Sequence, residues 1–224
     1  MNSQVLRMLS SFLCCVLTLP ANTRVRRVDG SGTFPVRAQS TNEKSTDNYL
    51  IEPGKRVGQV RLGESIERAF DVIDFEEGET IETDTCGQEY IAVDKKGRPQ
   101  GNFSIRFKDS VIFQIESGTS RFHTSEGIRA YDSPDAVHSR YRELRAYAVL
   151  GNSPMAFGGG PLIYWIDWTK GMAFLFASER KNHHRYLYSI IVFKPGGEFC
   201  PEWGSTKSPE WRELKPYSLS VGSQ

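Results

Sequence analysis

The sequence lacks most of the features that identify a protein class at a glance. Its 224 residues include only four cysteines, too few for a disulfide-dense scaffold. No apolar stretch reaches the ~18–20 residues of a membrane-spanning helix. Lys and Arg total 28 against 27 Asp and Glu, so no cationic excess points to nucleic acid. What remains is an ordinary globular composition, 38% hydrophobic and 12% aromatic.

Motifs of common catalytic and ligand sites are also missing. There is no serine elbow, and the glycines of Phe157–Pro161 lead into a strand, which indicates a connector rather than a phosphate loop. His183 and His184 would point to opposite sides of a strand, which disfavours a shared metal ion. The acidic run Asp74–Asp84 is typical of a solvated loop. The sequence therefore predicts no cofactor, no metal and no enzyme, with a thiol enzyme using Cys86 as an alternative.

The N-terminus has the layout of a secretory signal. Arg7 precedes a short apolar run, Met8–Ala21, so residues 1–21 are predicted to be a signal peptide, with a later cleavage after Ala38 as a second option. A buried helix or an uncleaved anchor is the alternative. Residues 22–48 are rich in Ser, Thr, Asn and Arg and are predicted to be a disordered linker. The predicted location is secreted or periplasmic, in a bacterial cell envelope.

Export would simplify both the cysteine count and the charge. Cys86 and Cys200 would remain, and an oxidising compartment predicts a disulfide between them, with two buried thiols as the alternative. Residues 1–38 hold five of the basic residues and one acidic residue, so their removal would leave a slight acidic excess. That balance predicts no nucleic-acid partner, and the lack of a long apolar stretch predicts no integral membrane segment.

An internal repeat predicts the architecture. VRLGESIERAF at Val60–Phe70 matches IRAYDSPDAVH at Ile128–His138, and each reads as an N-cap serine followed by an amphipathic helix. Three β-like runs follow each helix: EYIAVD, NFSIRF and VIFQIE, then IYWIDW, MAFLFA and LYSIIV. The predicted fold is α+β, with two tandem units of a short helix packed on an antiparallel three- to four-stranded meander. The units span residues 49–123 and 124–194, and residues 195–224 form an extended C-terminal strap.

These residues carry a resemblance to known families. The opening GKRVGQVRLGESIERAF, with its serine-led helix and meander, doubled, resembles the tandem repeat of the secreted β-lactamase-inhibitor-protein family. It is also similar to the smaller helix-then-meander module of outer-membrane assembly lipoproteins. The resemblance covers about residues 54–194. For the inhibitor family it implies a concave sheet surface, rich in aromatic residues, that grips another protein.

The two units differ in the sheet face that points away from their helix. In the first unit that face is polar and is expected to meet water. In the second unit the run Met172–Ala177 is apolar on both sides, so one helix cannot cover it. The first unit, the strap or a partner must cover the rest. The polar set of the first unit comprises Ser104, Arg106, Lys108 and Gln114.

The open apolar face predicts a protein-binding surface, because aromatic residues and arginine dominate interface hot spots. A basic hairpin tip beside it predicts a partner with an acidic patch. The sequence therefore predicts an exported protein–protein binding module, an inhibitor or an envelope assembly factor. The alternative is a structural envelope protein whose two repeats pack on each other through this face. The predicted binding residues are Trp165, Leu175, Arg180, Lys181, His183, His184, Arg185 and Tyr186.

Overall fold

A computed structural model describes residues 47–73, 77–83, 86–93, 99–150, 161–178, 184–201 and 210–219. Within them the fold is α+β, with most of the regular structure in strands. No helix among these residues has the length and apolar composition to cross a membrane. The elements are, in chain order, β1 (Leu50–Glu52), β2 (Arg56–Val57), β3 (Val60–Arg61), α1 (Ile66–Val72), β4 (Glu77–Thr83), β5 (Gly87–Val93), β6 (Pro99–Lys108), β7 (Val111–Ser117), β8 (His123–Thr124), α2 (Pro134–Arg140), β9 (Arg145–Leu150), β10 (Leu162–Asp167), β11 (Met172–Ser178), β12 (Arg185–Phe193) and β13 (Glu210–Glu213).

Nine of these strands form one antiparallel sheet. Its order is β13-β9-β10-β11-β12-β7-β6-β5-β4, so the meander β4–β7 joins the meander β9–β12 edge to edge. Residues 190–193 of β12 pair with residues 114–117 of β7. The expectation of two separate small sheets is wrong, because the last strand of each meander offers an unpaired backbone edge that the other one satisfies.

A second, smaller sheet combines three strands that precede the first meander with one that follows it. It has the order β3-β2-β1-β8 and is mixed, since β1 and β8 run parallel while the other neighbours are antiparallel. Its strands are two or three residues long, so they depend on packing against the larger sheet. Ile51, Val57 and Val60 supply that packing as members of the main core.

Both helices begin where the sequence predicts. Ser65 and Ser133 are the N-caps, and each side chain accepts a hydrogen bond from the backbone N–H three residues later, at 3.4 and 3.2 Å. Ala69 of α1 and Val137 of α2 are fully buried in the same core cluster. The two helices therefore cover one continuous face of the nine-stranded sheet rather than two separate ones.

The acidic run Asp74–Asp84 is not the solvated loop that its charge suggests. Its described part, Glu77–Thr83, forms the edge strand β4 and pairs with β5 over its whole length. The glutamates of this strand suit a sheet edge, because charge there discourages pairing with another chain. The prediction is corrected from loop to strand.

Candidate functional site

The apolar face opposite the helices is covered by the protein's own C-terminal segment. We call the strap the described residues 195–201 and 210–213; residues 214–219 pack on the helix-covered face instead, through Leu214, Tyr217 and Leu219. The Phe199 ring lies 5.6 Å from Tyr164 and 5.0 Å from Phe193, and Trp211 lies 5.8 Å from Tyr164. The two meanders join through strand edges, so they do not pack on each other through this face. The buried face of the second meander comprises Val149, Leu162, Tyr164, Ile166, Ala173, Leu175, Ala177, Ile191 and Phe193.

A disulfide fixes the strap to the first meander. Cys86, just before β5, is bonded to Cys200 across a sequence separation of 114 residues, which confirms the predicted pairing. Both residues are buried, at 6% and 3% exposure. The bonded sulfur of Cys86 is not a thiol, so a Cys86 nucleophile would first require reduction of this disulfide.

The polar face of the first meander is also buried under the strap. Gln114 Nε2 donates to the Cys200 carbonyl at 2.7 Å, and Gln114 Oε1 accepts from the Cys200 N–H at 2.8 Å. Arg106 Nη1 donates to the carbonyls of Cys200 and Pro201, both at 3.0 Å. The expectation that this face meets water is therefore wrong for Ser104, Arg106 and Gln114, although Lys108 remains exposed and pairs with Glu198.

This burial leaves an ionisable cluster inside the protein. Arg106 Nη2 lies 3.3 Å from Glu89 Oε2, and Glu116 Oε1 accepts from Ser189 Oγ at 2.6 Å. Within the described part of the chain, Glu116 Oε2 and Arg106 Nε have no hydrogen-bond partner. Burial is the main reason that the pKa of Glu116 rises to about 7, with the Glu89 carboxylate adding to it and Ser189 and Arg106 opposing it.

Trp165 lies on the face opposite to the one predicted. Its side chain is 2% exposed and belongs to the helix-covered core, where it packs 4.5 Å from Phe176 and 5.3 Å from Tyr217. The indole Nε1 donates to the Ser218 carbonyl at 3.1 Å. Trp168, three residues along, is the tryptophan on the strap-covered face. Trp165 is therefore a core residue and presents no surface to a partner.

The other predicted binding residues divide into three groups. Leu175 is fully buried under the strap, so it too is removed from the proposed surface. Arg180, Lys181 and His183 lie outside the described residues. His184 is exposed, and Arg185 and Tyr186 are half-buried at the start of β12. Of the predicted binding surface, the described residues thus keep only the base of the β11–β12 hairpin.

An exposed tyrosine lies beside that base. Tyr131 is 62% exposed and stacks on Tyr186, with ring centroids 5.9 Å apart and an interplanar angle of 19°. We call Tyr131 and Tyr186 the tyrosine pair. Arg185 precedes Tyr186 on β12, so their side chains leave opposite sides of the strand. Arg185 donates to the Phe176 carbonyl at 3.4 Å, and burial lowers the pKa of its guanidinium. The pair itself is an exposed aromatic surface, and tyrosine is enriched in interface hot spots.

Tyr131 is held in a backbone conformation that a bulky residue rarely adopts. Its φ is 74°, in the left-handed region. Two hydrogen bonds to β12 impose it: Tyr131 N–H to the Leu187 carbonyl at 2.7 Å, and Leu187 N–H to the Asp132 carbonyl at 2.9 Å. Sequence reasoning missed Tyr131, because a tyrosine gives no signal for positive φ. The available cue was Asp132, because aspartate is common in turns. Its side chain accepts a hydrogen bond from the Arg129 N–H at 2.9 Å.

Comparisons with known proteins add little to this geometry. No protein family model matches the chain, and no curated protein matches it. Among solved structures, the chain is similar to the uncharacterized protein yfeY from Escherichia coli, at 12% sequence identity and a TM-score of 0.40. That match covers 66% of this chain and 99% of yfeY. We draw no functional argument from it.

Proposed function

We propose that the protein is an exported, non-enzymatic binding module that recognises another protein through the tyrosine pair. The observation that carries the proposal is the exposed Tyr131, 62% accessible and kept at a φ of 74°. Backbone strain of this kind costs on the order of 1–3 kcal/mol and concentrates at functional sites. A glycine would remove the strain at once, so an exposed tyrosine in this position favours a role for its ring.

Three further features support the proposal. The Cys86–Cys200 disulfide suits an oxidising compartment, and the apolar run Met8–Ala21 suits a signal for export to a bacterial envelope. The order of one short helix followed by four antiparallel strands occurs twice along the chain. We interpret that order as a tandem duplication, in keeping with the resemblance to the secreted inhibitor family and the assembly-lipoprotein module. These features support a role in binding another protein, as an inhibitor or as an assembly factor.

We further propose that the partner carries an acidic patch. The hairpin sequence SERKNHHRY, which leads directly into Tyr186, is rich in basic residues. Basic residues near exposed aromatic rings attract carboxylates and also steer their approach. High salt should therefore slow association more than it speeds dissociation.

Capture from an envelope extract tests the proposal. The immobilised wild-type chain is compared with Tyr131→Ala/Tyr186→Ala and with the control Phe70→Ala, which removes a 45% exposed ring on α1. We expect one partner, identified by mass spectrometry, to be retained by the control and lost by the double variant. Purified partner then gives the affinity of each chain. Equal affinity for the wild type and the double variant would contradict the proposal.

A glycine variant separates recognition from folding. Tyr131→Gly removes the ring but fits the left-handed backbone, so we expect the free energy of unfolding to stay within about 1 kcal/mol of the wild type. We expect partner affinity to fall at least tenfold. A large loss of stability with unchanged affinity would instead mean that Tyr131 serves packing.

A further inference from the structure

A cleft of about 200 Å³ opens beside the end of α1, on the helix-covered side of the large sheet. Val57 and Val60 of the small sheet and Phe103 of β6 line it and are almost fully buried, so the cleft reaches into the main core. Its mouth lies where the lining is open to solvent, at the half-buried helix end and at Tyr49, which is 41% exposed. The described apolar lining residues are Val57, Val60, Val72, Ile73, Phe103 and Phe122.

The size of the cleft limits what it can hold. An apolar protein cavity of about 150 Å³ is large enough to bind benzene. A volume of about 200 Å³ therefore admits one ring with a short substituent. It is too small for a nucleotide or a drug-sized ligand, whose pockets measure roughly 300–1,000 Å³.

One wall of the cleft is a continuous aromatic surface. The Phe122 ring lies 5.5 Å from the Phe103 ring on one side and meets the Tyr49 ring edge-on at 5.9 Å on the other. Gly58 lets Phe122 pack against the backbone, because a Cβ at this position would lie 2.7 Å from Phe122 Cε1. The wall is therefore held in place before any ligand arrives, and its rings favour an aromatic partner that meets them edge-to-face or offset.

The charge of the lining points to a neutral occupant. Among the described lining residues Arg121 is the charged one, and it is already engaged. Its guanidinium lies 4.8 Å over the Tyr49 ring and donates to Tyr49 Oη at 3.1 Å, and it has further contacts besides these two. An ionised ligand group would therefore lose hydration in this cleft without gaining a free counter-charge from the described lining.

We propose that this cleft binds a small neutral molecule whose body is a single aromatic ring. The ring fills the apolar interior against Phe103 and Phe122. A short polar substituent, such as a hydroxyl, stays at the mouth, where the exposed lining residues Asn48 and Gln59 and water supply hydrogen bonds. The cleft shares no residue with the tyrosine pair, so this inference does not depend on the proposed function.

Titration with benzyl alcohol tests the site. The ¹H–¹⁵N spectrum of the full chain at neutral pH reports binding, and benzoate, which carries the same ring with a charged group, is titrated in parallel. We expect saturable shifts with benzyl alcohol, confined to the small sheet, the end of α1 and the residues around Phe122. Benzoate should bind at least about tenfold more weakly, because its carboxylate is desolvated at the mouth without a free cation to pair with.

Two measurements locate the binding in the cleft. On the wild-type chain, we expect intermolecular NOEs from the ring protons of benzyl alcohol to the methyl groups of Val57 and Val72. Val72→Phe should abolish binding by filling the space at the half-buried wall. The matched control is Val111→Phe, the same change at a 47% exposed side chain on β7 that does not line the cleft, and it should bind like the wild type. The spectrum of each variant without ligand shows whether it is folded.

Three results would overturn the inference. The first is the absence of saturable shifts with benzyl alcohol on the wild-type chain, or shifts without NOEs to the valine methyl groups. The second is binding of benzoate as tight as that of benzyl alcohol, since the cleft would then not select a neutral ligand. The third is equal affinity of folded Val72→Phe and Val111→Phe for benzyl alcohol. Because the NOEs are measured on the wild type, the test does not depend on the folding of Val72→Phe.

Discussion

One face of the nine-stranded sheet is apolar over the second meander and charged over the first, yet the same strap covers both halves. Over the second meander the strap contributes rings, such as Phe199 against Tyr164 and Phe193. Over the first it contributes backbone groups, which Gln114 and Arg106 satisfy one by one. Apolar contact therefore holds the strap on the second meander, and a small number of directional hydrogen bonds hold it on the first.

That difference has consequences for stability. Apolar contact is non-directional and tolerates small shifts of the strap. A buried hydrogen bond loses most of its value when its partner moves, and the groups left behind bear their full desolvation penalty. The polar half should therefore be the first to open when the strap loosens.

The largest effect should come from removing the disulfide. Cys86→Ser/Cys200→Ser opens a loop of 114 residues, and in the chain-entropy model that lowers the free energy of unfolding by roughly 4–5 kcal/mol. Urea unfolding measures the loss. The wild type in reductant is the control, and after full reduction it should unfold like the double variant.

Hydrogen exchange on the same variant tests the comparison directly. We expect amide protection to fall first in β5 and β6, under the polar half, and later in β10 and β11. Simultaneous loss of amide protection in both halves would mean that the strap opens as one rigid cover. The distinction between apolar contact and directional hydrogen bonds would then be wrong.

A smaller loss should follow from truncating the strap on the apolar side. Phe199→Ala removes a half-buried ring that meets Tyr164, Trp168, Phe193 and Trp211, so we expect the free energy of unfolding to fall by about 2–3 kcal/mol. Phe113→Ala is the matched control: a half-buried ring on β7, outside the strap, with the ammonium of the exposed Lys108 5.4 Å from its centre. Equal losses in thermal or urea unfolding would show that the strap rings add nothing special.

Much of the local structure could be predicted from the sequence because its causes are local. The serine N-caps at Ser65 and Ser133 define both helix starts. The KDSV segment predicts a tight hairpin, and Asp109 and Ser110 both have positive φ there, as a two-residue β-hairpin turn requires. The Cys86–Cys200 pairing followed from the count of cysteines that export would leave.

The wrong predictions concern which sheet face a side chain lies on and which segment covers it. Both depend on residues that are distant in the sequence. Trp165 sits on a strand that is apolar on both sides, so period-two alternation could not tell which side the helices cover. Arg106 was expected in water because its partners, the Cys200 and Pro201 carbonyls, lie 94 and 95 residues away. The edge pairing of β7 with β12 is likewise invisible to any local pattern. The strap covers Arg106, yet its Pro and Gly content suggested only an extended chain.

An effect of similar size to the Phe199 truncation, present only at the higher pH and specific to the polar half, concerns the titration of Glu116. Its pKa in the folded protein is about 7, against 4.5 for an ordinary glutamate. Between pH 4.5 and about pH 7, Glu116 therefore keeps a proton in the folded state that it releases in the unfolded state. This group stabilises the fold fully below pH 4.5, progressively less as the pH rises, and no longer above about pH 7.

Glu116→Gln should remove that pH dependence. Between about pH 5 and about pH 8 the wild type should lose on the order of 2–3 kcal/mol of stability that the variant keeps, so the variant should be the more stable protein at the higher pH. The charged groups facing Glu116 are Arg106 on β6, which favours its ionised form, and Glu89 on β5, which opposes it; Ser189 on β12 donates a hydrogen bond.

Glu198→Gln, which breaks only the exposed pair with Lys108, is the matched control and should follow the wild type within about 1 kcal/mol. Parallel pH profiles for the wild type and Glu116→Gln would mean that water or strap opening already solvates Glu116, and the polar half would then be no more sensitive to pH than the apolar half.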